Sequence, residues 1–93
     1  MTKADIVDRI ATATGITKTD VAIVVDEFIS SVIEAMKRNE RVELRGFGVF
    51  QVVKRAPRTA RNPRTGRTIR IPERYLPVFK PSKILRAMVE EGS

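Results

Sequence analysis

Residues 54–74, KRAPRTARNPRTGRTIRIPER, restrict this chain more than any other stretch. Eight of them are Lys or Arg and only Glu73 is acidic, so the segment carries +7. The whole chain is also +7, and taking the segment out of its 18 basic and 11 acidic residues leaves ten of each. Arg55, Arg58, Arg61, Arg64, Arg67 and Arg70 recur at every third position, with small or turn-forming residues between them until Ile69 and Ile71. Such a segment buries too little apolar surface to offset the entropy of ordering it, and by itself it should be mobile. Asn62-Pro63-Arg64-Thr65-Gly66 at its middle is a strong turn signal: Asn starts the turn, Pro fixes φ and Gly releases the chain. Pro57 and Pro72, near its two ends, suit a sheet edge and oppose a helix. The simplest geometry is a two-stranded ribbon, out along 53–62 and back along 66–74, with Pro63-Arg64 at the tip. Isolated ribbons are marginal in water, so the end should be disordered without a ligand.

The remaining composition excludes more than it specifies. Ninety-three residues make a single domain, 1–93, small enough that a partner subunit is expected to help bury its core. The chain has neither Cys nor His. Disulfides and thiolate metal sites are therefore excluded, and the commonest general base and imidazole ligand are missing. No enzyme, metal, cofactor or small-molecule substrate is expected. The N-terminus carries charges where a signal peptide needs an apolar core, and the longest apolar run, 21–25, is far below a membrane span. A cytoplasmic protein with no membrane partner is the expectation. At a pI near 10.6 its partners should be polyanions, nucleic acid before anionic lipid.

Thr2, followed by Asp5, reads as a helix cap with an acid at the positive end of the dipole. Ile6, Val7, Ile10, Ala11 and Thr14 follow at helical spacing, and Gly15 ends the element. Thr17 and Asp20 repeat the cap, so two helices form an antiparallel hairpin. The second, about 18–38, carries Val21, Val24, Val25, Phe28, Ile29, Val32, Ile33 and Met36, a stripe too broad for the first helix alone to cover. A sheet and a second copy of the chain should share the rest. Residues 41–44 alternate as a strand with one buried face, Arg45-Gly46 turns, and 47–53 is a second strand. Its apolar parity changes around Gly48, which either a bulge or burial on both faces would explain. After the basic segment, 75–79 is a last strand, and Pro81 or Ser82 opens a third helix with Ile84, Leu85, Met88 and Val89 on one face. The fold class is α+β: a helical hairpin base, a three-stranded antiparallel sheet extended into a two-stranded β-ribbon arm, and a C-terminal helix.

Evenly spaced guanidiniums on a narrow ribbon match a groove lined by phosphates, and arginine suits the negative potential of a narrow minor groove. Base reading from a ribbon in the major groove usually needs Asn, Gln or Glu, and only Asn62 lies near the tip. Backbone and groove shape should therefore dominate over sequence. Pro63 has two readings, a turn former or an apolar wedge driven between base steps.

Gly46-Phe47-Gly48-Val49-Phe50, the run Ala60-Arg61-Asn62-Pro63-Arg64-Thr65-Gly66 and the ending Phe79-Lys80-Pro81-Ser82-Lys83 together resemble the HU and integration host factor family of bacterial DNA-binding proteins. Thr2-Lys3-Ala4-Asp5 and Thr17-Lys18 fit the same register, so the resemblance spans the chain. Ala60 and Ser82 depart from it, both standing where glycine is common. The resemblance implies an intertwined homodimer, or a heterodimer with a paralogue, whose two arms embrace double-stranded DNA through its minor groove. Pro63 would intercalate at a kink, with Arg58, Arg61, Asn62, Arg64 and Arg67 in the groove. Lys3, Lys18, Arg55, Lys80 and Lys83 would touch phosphates along the body, and Arg45 with the 46–48 amides could face the backbone. Lys3 and Lys18 also sit at helix N-termini, where backbone N–H groups favour a phosphate.

The function so implied is architectural: bending of duplex DNA, largely without sequence preference, and compaction of the bacterial chromosome. Bending costs on the order of 1–6 kcal/mol, offset when the wrapped flanks bring their phosphates against the basic body. If a dimer engages about ten phosphates, log K should fall with log salt at a slope near −9. A site-specific subunit like integration host factor is the nearest alternative. An RNA-binding protein is another, disfavoured because deep A-form grooves exclude a ribbon of this kind.

Overall fold

The computed structural model describes residues 1–92, and the chain forms two compact units, Met1–Ala35 and Met36–Ser93. The first is a helical hairpin. Helix α1 spans Lys3–Thr14 and α2 spans Lys18–Lys37, running on into the second unit. Thr2 caps α1 in the anticipated way: its hydroxyl accepts from the Asp5 N–H, and the Asp5 carboxylate accepts from the Thr2 N–H at 2.8 Å. Gly15 closes α1 with φ 78°, donating its N–H to the Ala11 carbonyl. The Asp20 N–H reaches the Thr17 hydroxyl at 3.2 Å, so the second cap forms as well. Helix α2 stops at Asn39, a non-glycine residue at φ 57° whose short polar side chain makes that conformation tolerable.

The second unit holds five strands and a helix. Strand β1 is Val42–Leu44, β2 Gly48–Arg55, β3 Arg58–Arg61, β4 Thr68–Ile71 and β5 Arg74–Pro81, followed by α3 at Lys83–Glu91. Strands β1, β2 and β5 make an antiparallel sheet in that order, and β3 pairs with β4 as a separate ribbon. Between β1 and β2 the chain turns on Gly46, whose φ of 82° is what the third position of a type II turn requires. The parity change near Gly48 has a simple origin. Phe47 belongs to the turn, where its N–H donates to the Leu44 carbonyl, and the β1–β2 register is regular without a bulge. Phe50 then faces Phe79, Val52 faces Pro77 and Val53 faces Leu76, so apolar residues occupy both faces of β2. A three-ring cluster of Phe47, Phe50 and Phe79, with centroids 4.8 to 6.3 Å apart, fills one of them.

The ribbon is not continuous with the sheet, contrary to the unbroken strands of 53–62 and 66–74 that the sequence suggests. Arg55 faces Arg74 and Arg58 faces Ile71, so both strands advance three residues together and the register does not slip. That register sets Pro57 against Pro72. Neither can donate a backbone N–H, and the ladder opens there for want of donors.

Among the described residues the buried hydrophobic side chains are Val7, Val21 and Ala35 alone, and none of the large side chains is fully buried. Along α2, Ile23, Val24, Phe28, Ile29 and Ile33 stay 40–67% exposed, and on α3 Ile84, Met88 and Val89 stay 54–63% exposed. A single chain therefore leaves its apolar stripes to be covered by something else.

Candidate nucleic-acid interface

The arm is built so that its tip needs no partner. The Asn62 N–H donates to the Arg67 carbonyl and the Gly66 N–H to the Asn62 carbonyl, both at 2.8 Å. Asn62 Oδ1 accepts from the Arg64 N–H at 2.9 Å, an Asx turn, and the Thr65 hydroxyl accepts from the Arg67 N–H. Gly66 takes φ 71° to release the chain into β4. Pro63 is thereby held, exposed, at the far end of the ribbon. The turn uses one of the two acceptor lone pairs of Asn62 Oδ1.

A repeat of three on a strand that alternates every two residues divides the arginines between the ribbon's faces. Thr59 faces Arg70 and Arg61 faces Thr68 on one side, whereas Arg58 faces Ile71 and Ala60 faces Ile69 on the other. One face is thus cationic and hydroxylated, and the other mixes Arg58 with apolar side chains. Arg64 and Arg67 flank the tip, and Arg58, Arg61, Arg64 and Arg67 are all exposed.

The body residues fall into a pattern of their own. Lys3, Lys18 and Lys83 are each the first residue of a helix, following Thr2, Thr17 and Ser82. Ser82 makes two bonds: its hydroxyl accepts from the Leu85 N–H and donates to the Gly46 carbonyl at 2.9 Å, tying α3 to the β1–β2 turn. Lys80 faces Val49 across the sheet, Arg55 faces Arg74 at its end, and Arg45 lies exposed in the turn. Of the 46–48 amides, that of Phe47 is already spent on the turn.

Two acids qualify the lysines. Lys3 Nζ lies 2.7 Å from Asp26 Oδ1, and Lys18 Nζ lies 2.7 Å from Asp8 Oδ1. The hydrogen bond and charge of Asp8 raise the pKa of Lys18 above the ordinary lysine value. Both pairs line a shallow depression between α1 and α2. Sequence reasoning missed these acids, because partners 23 and 10 residues apart meet only when the hairpin closes. Glu73 likewise pairs with Lys54 at 3.4 Å. Among the described residues there is no cluster of potential metal ligands and no helix long and apolar enough to cross a membrane.

Fold and charge together define a class: a small α+β protein that concentrates its net charge on a projecting ribbon. A profile of that class, described as bacterial DNA-binding protein, matches residues 1–90. The HU protein of Thermotoga maritima is 42% identical over 97% of this chain and 100% of its own length, and HU of Thermus thermophilus is 45% identical over 98% and 94%. The beta subunit of integration host factor from Azotobacter vinelandii is 40% identical over 98% and 100%. A cocrystal structure of Anabaena HU with DNA superposes with a TM-score of 0.87 at 34% identity, covering 96% of this chain and 97% of that one. The chain belongs to the bacterial DNA-binding protein family of HU and integration host factor.

Proposed function

We propose that this protein is an architectural DNA-binding protein of the nucleoid, which as a dimer bends duplex DNA through its minor groove with little sequence preference. The observation that carries this reading is the arm, a two-stranded ribbon that bears the chain's excess charge and ends in an exposed proline on a self-satisfied turn. Pro63 is the wedge, and unstacking a base step against it costs a few kcal/mol. Arg58, Arg61, Arg64 and Arg67 offset that cost from the groove, and Arg55, Lys80 and Lys83 do so along the flanks. Lys3 and Lys18 join them by exchanging an aspartate for a phosphate. Asn62 is the base-reading type of residue near the tip, and its Oδ1 is already engaged in the turn, which favours a general packer over a site-specific subunit. Residues 1–93 act as one DNA-binding domain, and the role is non-enzymatic. The exposed stripes of α2 and α3 support the dimer, whose second copy would cover them.

End-to-end fluorescence transfer on labelled duplexes of roughly 30 base pairs and unrelated sequences tests the reading. Every duplex should bend, and Pro63→Ala should reduce the bend while affinity falls only modestly. Binding without any change in end-to-end distance would replace the bending role with simple coating. Bending of one sequence alone would favour the site-specific branch.

A further inference from the structure

A proline wedge enters a base step together with the peptide bond that follows it. Proline brings no N–H of its own, so the donor one peptide bond beyond the ring is the Arg64 N–H. Asn62 Oδ1 accepts that hydrogen at 2.9 Å. The main chain of Asn62 closes the rest of the loop, through its N–H to the Arg67 carbonyl and its carbonyl from the Gly66 N–H, both at 2.8 Å. Across positions 61–70 Asn62 is the one half-buried residue, and all the others are exposed. The backbone does not call for asparagine there. Among the described residues Asn39 is the one non-glycine residue at positive φ, so other side chains fit the conformation of Asn62 without strain. What the amide side chain adds to the loop is the bond to Arg64.

We infer that Asn62 is a positioning residue for the Pro63 wedge, keeping the Arg64 N–H satisfied as the ring enters the base stack. The inference rests on the reading of Pro63 as the wedge. In the free arm water can serve the Arg64 N–H, so the bond from Asn62 contributes little there. Between base pairs water is squeezed out, and a bare donor beside the ring would be buried against apolar π faces. Leaving such a donor unsatisfied costs more than the same hydrogen bond gains in water. Asn62 belongs to the loop and carries its acceptor in with it. The leading edge, Pro63 and Arg64, then offers the stack no bare N–H. This differs from the groove contact that the family resemblance implies for Asn62: the side chain acts through the loop and touches no base.

The test resolves bent from unbent complexes by single-molecule fluorescence transfer on an end-labelled duplex of roughly 30 base pairs at saturating protein. It compares the full parent chain with Asn62→Ala and Asn62→Ser. In Asn62→Ala the ratio of bent to unbent complex should fall about 5- to 150-fold, the range expected of a buried donor left unsatisfied. No cation is removed, so the unbent complex should form with the parental slope of log K against log salt. A serine hydroxyl accepts from the N–H two residues on but is too short to replace the amide at a base edge, so Asn62→Ser should recover most of the ratio. Amide hydrogen exchange without DNA isolates the bond. In Asn62→Ala the Arg64 N–H should exchange faster, while the Gly66 N–H keeps its protection. Loss of protection at Gly66 as well overturns the inference and makes Asn62 a structural residue of the turn. Asn62→Ser performing no better than Asn62→Ala overturns it too, and makes Asn62 a base-contacting residue. A parent that binds without any bent complex defeats the functional reading and the positioning role with it. A parent that bends while Asn62→Ala keeps the parental ratio defeats the positioning role alone.

Discussion

The aspartates that hold Lys3 and Lys18 make the salt dependence of binding a quantitative test. All four side chains are more than half exposed, and each ammonium sits 2.7 Å from its carboxylate. Such a lysine neutralises a phosphate only by giving up the acid, so its gain in the native protein is small. Asp8→Asn together with Asp26→Asn keeps the size and hydrogen-bonding capacity and removes the charge. Each subunit then presents two unpaired ammonium groups, and a dimer four. Every phosphate neutralised adds about −0.9 to the slope of log K against log salt. The slope should therefore steepen by up to about 3.6, from about −9 toward about −13, when binding is followed by anisotropy between roughly 50 and 200 mM salt. Affinity should rise most at the low end of that range. Exposed ion pairs contribute little to stability, so the unfolding curve should hardly move. Adding Lys3→Ala and Lys18→Ala should bring the slope back. A folded double variant with the parental slope would refute the argument, because Lys3 and Lys18 would then never reach phosphate.

Three further outcomes follow from the geometry. At Gly48 an added Cβ would run into the Lys80 carbonyl and the Phe79 ring, so Gly48→Ala should cost about 1–3 kcal/mol in calorimetric unfolding although no arm residue changes. Because the apolar stripes of α2 and α3 await a second copy, the melting temperature should rise with protein concentration, and a value independent of concentration would point to a self-sufficient monomer. Lys18 titrates above its ordinary value, so its pair with Asp8 is intact below the unfolded lysine pKa and is lost only as pH climbs through the higher folded one. With no histidine in the chain, neither stability nor DNA affinity should show an imidazole transition between about pH 6 and about pH 7, a prediction that titration by circular dichroism and anisotropy can check.

The elements that could be read from sequence are those decided within a few residues. Thr2 and Asp5 are three apart, as are Thr17 and Asp20, and the turn from Asn62 to Gly66 closes on its own hydrogen bonds. The features that escaped depend on what the fold brings together or on strand parity. Asp8 and Asp26 look like ordinary helix-surface acids until the hairpin sets them against Lys18 and Lys3. Phe47 looks like a strand residue because it precedes Val49 by two, yet the type II turn claims it. The regular arginine spacing does not by itself show how the guanidiniums divide, whereas a two-residue alternation puts Arg61 and Arg70 on one side and Arg58 on the other.

Parity also explains where the ladder between the sheet and the arm is interrupted. Because the register passes through the break unslipped, Pro57 and Pro72 meet each other and not residues that could supply an N–H. Two prolines in separate places would each cost a ladder bond and leave the partner strand holding the other. Opposed, they fall in one short gap of two unpaired positions, 56 with 73 and 57 with 72, between the Arg55–Arg74 and Arg58–Ile71 pairs. Below the gap lie the Arg55–Arg74 rung and the Lys54–Glu73 pair, and above it the ribbon that ends at Pro63. The arm thus carries the chain's excess charge across and beyond this gap and ends it in an exposed proline on a preformed turn.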